Sequence, residues 1–252
     1  MAAVGLFWQT QSLNWVIFRP YMVNHKGSVG VNERHADAAR YLLLSRISAS
    51  LRHRIVGCLH PIALTASLAD KQLGAVNLDL VRVKESLGRI QMQVRQATMG
   101  INDALAWVTG DEAMSVPLKE GIHACVEMIR TECAMHGVTL SVDVADTNAK
   151  VSKRHLRIVL SASLIALVDS YPQLSSIVIR SHFLPNFTEI SFDLDVNTAG
   201  NGLSVVSEDR PFTWQDVMAL AAHEGIEVSG AGGSPVKCRF PTTAPENSAS
   251  TT

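Results

Sequence analysis

Between Val76 and Val108 the apolar residues recur in an unbroken four-three alternation: Val76, Leu80, Val83, Leu87, Ile90, Val94, Ala97, Ile101, Ala104 and Val108. No strand has that period, and a heptad held so long predicts a helix with a coiled-coil-like seam. The segment before it carries a matching stripe, Leu44, Ile47, Leu51, Ile55, Cys58, Ile62 and Ala66, again at steps of three and four. A second amphipathic helix is therefore expected upstream. Its pattern fades over Ala69-Asp70-Lys71-Gln72, which places the turn there. A lone hairpin of this length cannot bury both of its faces, whereas two copies forming an antiparallel four-helix bundle can. The expected state is a homodimer with the hairpin as its interface.

His53 follows Leu51 by two residues, so it points about 200° away from the buried seam. His60 is one heptad further on and shares that face to within about 20°. Arg52 and Arg54 flank His53, and Arg46 precedes it by one heptad. A neutral imidazole is a nucleophile near pH 7, and one ring nitrogen can bond covalently to phosphorus. The ordinary alternative is a solvated helix face that happens to carry a histidine. His60 competes for the acceptor role, but Pro61 follows it directly and is expected to distort the helix there. His35, His123, His136, His155, His182 and His223 show no convergent partners in the sequence and read as structural or surface groups.

The chain has 252 residues, long enough for two small cores. A net charge of -1 supplies no bulk attraction to nucleic acid or anionic lipid. Cys58, Cys125, Cys133 and Cys238 have neither C-x-x-C spacing nor a metal-ligand cluster with histidine. They read as reduced thiols of a cytoplasmic protein. No apolar run reaches membrane-spanning length. The first 28 residues hold Trp8, Trp15 and Phe18 but lack the charged start and apolar middle of a signal peptide. The expected organisation is an N-terminal extension (1–32), a helical hairpin (33–110), an α/β unit (111–242) and a small polar tail (243–252).

The periodicity changes after Val108, and Thr109-Gly110-Asp111-Glu112 reads as a linker. A helix is expected to open at Ser115 to Pro117 and to stop at Gly137. Val138 to Val144 alternates as a strand, Ser152 caps a helix to about Val168, and strands follow at Ser176–Ser181 and Thr188–Asp195 around a Pro185-Asn186 turn. Thr213 caps a helix to about Glu224, and a closing hairpin pairs Ile226–Val228 with Val236–Phe240. The fold class is α+β: a helical hairpin followed by a small sandwich with helices on one face of a mixed sheet.

A helical hairpin bearing a histidine, followed by this order of elements, resembles the core of a bacterial sensor histidine kinase across residues 35 to 241. Arg52-His53-Arg54-Ile55-Val56-Gly57-Cys58-Leu59 resembles the phosphoacceptor block of the subfamily with an H-R-x-x-x-x-L pattern. Val116-Pro117-Leu118 with its helix, then Gly137-Val138-Thr139-Leu140, resembles the start of the family's ATP-binding domain. The departures from that family are as informative. Leu156 to Leu167 matches the Mg-ATP helix in its apolar pattern, yet Ala162 and Ala166 stand where active kinases carry two asparagines. Alanine offers no oxygen to magnesium, a hard cation. The D-x-G-x-G turn is absent after Asp195, where Gly200 and Gly202 alone are a poor phosphate-binding signal. The lid between Asn197 and Thr213 is short, and Gly230, Gly232 and Gly233 read as hairpin-turn residues. Arg54 replaces the acidic residue that often follows the acceptor, and Gly57 stands where phosphatase activity often uses Asn or Thr.

What the resemblance then implies is a degenerate kinase similar to the dimeric histidine phosphotransferases of bacterial phosphorelays. His53 would exchange phosphate with the aspartate of a response-regulator receiver domain, which brings its own Mg²⁺, and no cofactor belongs to this chain. Arg52 and Arg54 would offset charge on the phosphoryl oxygens, and Gly57 would let the partner backbone approach. A hybrid histidine kinase is a further expected partner; nucleic acid and membrane are not. Two other readings remain: a dimeric pseudokinase adaptor that binds a kinase or regulator without phosphotransfer, and an active kinase with a divergent nucleotide site.

Overall fold

The computed structural model describes residues 30–77, 79–109, 114–196, 210–230 and 235–243. Most of the N-terminal extension, the tail beyond residue 243, the loop with Gly200 and Gly202, and Gly232 and Gly233 lie outside the described residues. Two long helices open the chain, α1 (Val31–Leu73) and α2 (Leu80–Thr109), packed as an antiparallel hairpin. At 1.5 Å per residue α1 is about 65 Å long. The turn falls later than the fading pattern suggests. Ala69, Asp70, Lys71 and Gln72 are all helical, and the chain reverses after Gly74. Ala69 is buried, and Gln72 accepts a hydrogen bond from Ser86 Oγ at 3.0 Å, so this stretch packs against α2 rather than turning. Asp79 then starts α2, its Oδ1 accepting from the amides of Val81 and Arg82 at 3.0 and 3.2 Å. Val76, read as part of the seam, lies in the turn and is fully exposed.

Pro61 does not end α1, which continues to Leu73. Its ring removes the amide that would bond to the carbonyl of residue 57. That residue is Gly57, and the space where its Cβ would project is open. The proline is thus accommodated where the preceding turn is least crowded.

The α/β unit follows as β1 (Ser115–Pro117), α3 (Leu118–Met135), β2 (Thr139–Asp143), β3 (Lys150–Ser152), α4 (residues 153–170), β4 (Leu174–Leu184), β5 (Phe187–Val196), α5 (Trp214–Glu224), β6 (Glu227–Ser229) and β7 (Lys237–Thr243). The strands form one mixed sheet in the order β1-β3-β7-β5-β4-β2, with β6 paired to β7. Only β2 and β4 run parallel; the other pairs are antiparallel. Residues 115–117, expected to open α3, instead pair with β3, and Pro117 sits at the helix N-cap without a side-chain bond. The short strands β1 and β3 are additions to the sequence reading. The other caps fall where expected: Gly137 adopts φ +74° after α3, Ser152 accepts from the His155 amide, and Thr213 forms a capping box with Asp216. Gly121 allows α3 to press on α4, since a Cβ there would meet Leu156 Cδ1 at 2.4 Å and Val116 Cγ2 at 2.9 Å.

The expected two cores are one. A continuous apolar cluster runs from Ala39, Leu43, Ile47 and Leu51 of α1, with Ala104 and Trp107 of α2, into Ile122, Ile129, Leu160, Ile165, Ile179 and Phe240. Arg46 crosses the same boundary inside the protein. Its Nε donates to Glu132 Oε1 at 2.7 Å, and its Nη1 and Nη2 donate to Asp169 Oδ2 and Oδ1 at 2.8 and 2.9 Å. Outside this knot, Arg40 and Arg154 share Glu224, and His35 Nε2 lies 3.2 Å from Asp216 Oδ1. His35 therefore has a convergent partner that the sequence does not disclose.

Breaking one side of a buried ion pair typically costs about 3–5 kcal/mol. Arg46→Met is accordingly expected to lower stability by about that amount in urea titration. Arg130→Met, which removes the exposed pair with Glu127, is expected to cost about 0.5 kcal/mol or less. Equal costs for the two variants would contradict the knot's role.

Candidate phosphoacceptor site

His53 is exposed on α1, as are Arg52, Arg54, Gly57 and His60. The seam of α1 explains this placement. Ile47 and Leu51 are buried and Ile55, Cys58 and Ile62 half-buried toward α2, which leaves residues 53 and 60 on the opposite side of the helix. Cys58 packs so closely on α2 that a Cβ at Gly100 would lie 2.7 Å from its sulfur.

The two flanking arginines have different surroundings. Arg54 lies nearer the seam, and its Nη2 reaches across the hairpin to Asp103 Oδ2 at 3.2 Å. Asp103 also accepts from Lys153 Nζ at 3.2 Å and from Arg157 Nη2 at 2.8 Å. The Arg157 guanidinium is buried and stacks 5.1 Å from the Trp107 ring centroid. Residues 156–160 of α4, which include Arg157, form a π-helical turn, a local widening common at functional sites. Partial burial works against the Asp103 charge, yet the hydrogen bond and charge of Lys153, with Arg157 and Arg54, hold its carboxyl below the ordinary value. No sequence spacing connects Asp103 with Lys153 and Arg157, which lie 50 and 54 residues from it, nor marks Trp107 as Arg157's partner. The available signal was that Asp103 is the last of the two carboxylates of α2 and sits beside its apolar stripe.

In α4, Ala162 and Ala166 are both fully buried and supply no oxygen ligand. The helix's one carboxylate, Asp169, is taken by Arg46 and by the Phe212 amide, which donates at 2.6 Å. Ser163 Oγ donates back to the Val159 carbonyl at 2.8 Å. Burial pushes the thiols of Cys125 and Cys133 up to about 12 and that of Cys238 up to about 11, so these three are packing groups. Among the described residues no group of three or more His, Cys, Asp or Glu could hold a metal ion, and no helix is long and apolar enough to cross a membrane.

At the start of α5, Asp216 is completely buried. Burial opposes its ionisation, but bonds from Arg210, the Thr213 hydroxyl and amide, and His35 outweigh this and hold its carboxyl well below the ordinary range. A carboxylate whose pKa is depressed by folding stabilises the protein fully above its unfolded value of about 3.9. That stabilisation is lost as pH falls toward the folded value. Asp216→Asn is therefore expected to flatten the loss of stability between about pH 5 and pH 2, read by urea titration across that range; an unchanged acid limb would contradict the assignment.

No protein-family model and no curated protein matches this sequence. Solved structures similar to it include a bacterial phosphotransferase, 14% identical with a TM-score of 0.37 over 79% of this chain and 95% of that one. The histidine kinase AdeS of Acinetobacter baumannii is 16% identical, with a TM-score of 0.35 over 73% of this chain and 97% of its own. A histidine kinase from Burkholderia phymatum STM815 is 16% identical, with a TM-score of 0.35 over 76% and 99%.

Proposed function

We propose that this chain is a dimeric histidine phosphotransfer protein in which His53 exchanges a phosphoryl group with the aspartate of a receiver domain, without using ATP. The observation that carries the reading is the exposed imidazole of His53 on the long helix α1. In the forward step, the lone pair of the unprotonated ring nitrogen attacks the phosphorus of the receiver's aspartyl phosphate. The N–P bond forms as the P–O bond to the carboxyl carbon's oxygen breaks, and the carboxylate leaves with the electron pair. The second ring nitrogen keeps its proton until the phosphoimidazolium releases it to water. The reverse step returns the group. Such transfer asks the acceptor for exposure and orientation, while the receiver supplies Mg²⁺ and acidic groups.

The buried alanines of α4 and the engagement of Asp169 support a route that does not pass through this chain's own nucleotide. The second copy is supported by the split of the α2 stripe. Val83, Ala97 and Ala104 are buried against α1, while Leu80, Leu87 and Val94 are 68%, 53% and 45% exposed. Tyr41, Leu59 and Leu73 add exposed apolar area on α1. A patch of this kind calls for a partner surface, and a second hairpin satisfies it with the geometry of a four-helix bundle. That same apolar stripe favours a second reading, a dimeric adaptor that binds a kinase or regulator without phosphotransfer. It predicts that His53→Ala leaves partner binding and signalling intact.

The test offers receiver domains from the same genome, each charged with radiolabelled acetyl phosphate, to the purified protein. One or more receivers are expected to give acid-labile, base-stable label on the wild type and none on His53→Ala. Equal labelling of both, or of neither by any receiver, would overturn the reading.

A further inference from the structure

Arg54 is bound in the resting structure, although it adjoins the acceptor. It shares Asp103 with two other cations, and the three ion pairs are unequal. Arg157 is 6% exposed, bonds at 2.8 Å and is fixed by the Trp107 ring. Lys153 is 21% exposed at 3.2 Å. Arg54, at 41% exposure and 3.2 Å, is the outermost of the three. If it leaves, Asp103 remains neutralised by Lys153 and Arg157, so its departure strands no buried charge. Pairs as exposed as this one are weak and exchange readily.

The route from Asp103 to His53 is also open. Residues 54 and 53 differ by about 100° around α1, and Gly57, one turn beyond both, lies between their two directions on the helix surface. Apart from its chain neighbours and its own helix's backbone, nothing lies within 4 Å of the point where a Cβ at Gly57 would project. A guanidinium swinging from the hairpin seam toward His53 passes over a position without a side chain. Its planar fork suits phosphoryl oxygens, binding them through two parallel N–H donors.

We infer that Asp103 sets the availability of Arg54 to the phosphoryl group on His53, holding the arginine at rest and releasing it when the phosphoryl group arrives. Asp103 is a positioning residue in this scheme and touches no reacting atom. The inference rests on His53 being the acceptor. Carboxylate and phosphoryl oxygens compete for one guanidinium, so weakening the first pair strengthens the second by linkage. Asp103→Asn should favour phosphohistidine. Lys153→Met should disfavour it, because Asp103 then leans more heavily on Arg54.

The probe is phosphoramidate, which needs no identified partner. The His53 nitrogen attacks its phosphorus, the P–N bond to the ammonia nitrogen breaks, and ammonia leaves with the electron pair and a proton. The ³¹P signal of phosphohistidine, mapped to residue 53 by mass spectrometry, reports its equilibrium level and its half-life. The level is expected to rise about two- to fivefold in Asp103→Asn and to fall in Lys153→Met and in Arg54→Ala, the scale of a partly exposed pair. In the Arg54→Ala background, both other substitutions should have no further effect; with Arg54 present, Asp103→Glu, which keeps the carboxylate, should behave as the wild type does. A purely structural Asp103 would not produce opposite signs or that dependence on Arg54. Thermal melts identify any variant that fails to fold, and Lys153→Met, which leaves Asp103 paired with Arg54 and Arg157, carries the test if Asp103→Asn does fail. A change in Asp103→Asn that persists without Arg54, or none in any variant while wild-type His53 is labelled, overturns the inference and leaves His53 as acceptor. Absence of label on wild-type His53 overturns both.

Discussion

The fold depends on one guanidinium placed where charge is costly. Arg46 sits inside the junction of α1 with the α/β unit and satisfies Glu132 and Asp169 together. Charges at such depth are tolerated only with close partners and good hydrogen-bond geometry. Asp169 in turn accepts from the Phe212 amide just ahead of α5, so a single network joins the hairpin, α4 and the segment leading into α5. Around it the apolar cluster is continuous from Ala39 to Phe240. The helices and the sheet therefore act as one packed body among the described residues.

That arrangement bears on what the chain can do. Moving the α/β unit along α1 to present a nucleotide to His53 would mean breaking the Arg46 knot and splitting the shared core. A scaffold that only displays an imidazole has no such requirement. The α4 helix is a core element, with Ala162, Leu164, Ile165, Ala166 and Leu167 all fully buried, while its Lys153, Arg157 and Asp169 bond to residues of the hairpin. Lys153 and Arg157 meet Asp103 and, through it, Arg54 beside His53. The α/β unit thus reaches the His53 neighbourhood electrostatically, through Asp103.

Much of this was legible in the sequence where the cause was local. The four-three stripes located both helices and put His53 outside. Gly137, Ser152 and Thr213 marked helix ends because a positive φ or a capping oxygen is a property of one residue and its near neighbours. The misses share a different cause. The hairpin turn came later than Ala69 because a small residue against α2 extends a helix that its own pattern would end. Residues 115–117 became a strand because β3 lies alongside, a tertiary pairing that overrides helix-start signals. In the sequence Arg46 stands out only by its heptad spacing from His53, because its partners are 86 and 123 residues away. The Asp103 cluster likewise joins residues 49 to 54 positions apart, and no spacing rule connects them.

The most direct test of the account is calorimetric titration of the full chain with Mg-ATP. If His53 takes its phosphoryl group from a receiver alone, as proposed, and the buried α4 holds no metal-nucleotide, the titration should give no saturable heat up to millimolar nucleotide. Stoichiometric binding with a micromolar Kd would contradict the account and restore an ATP-dependent role for the α/β unit.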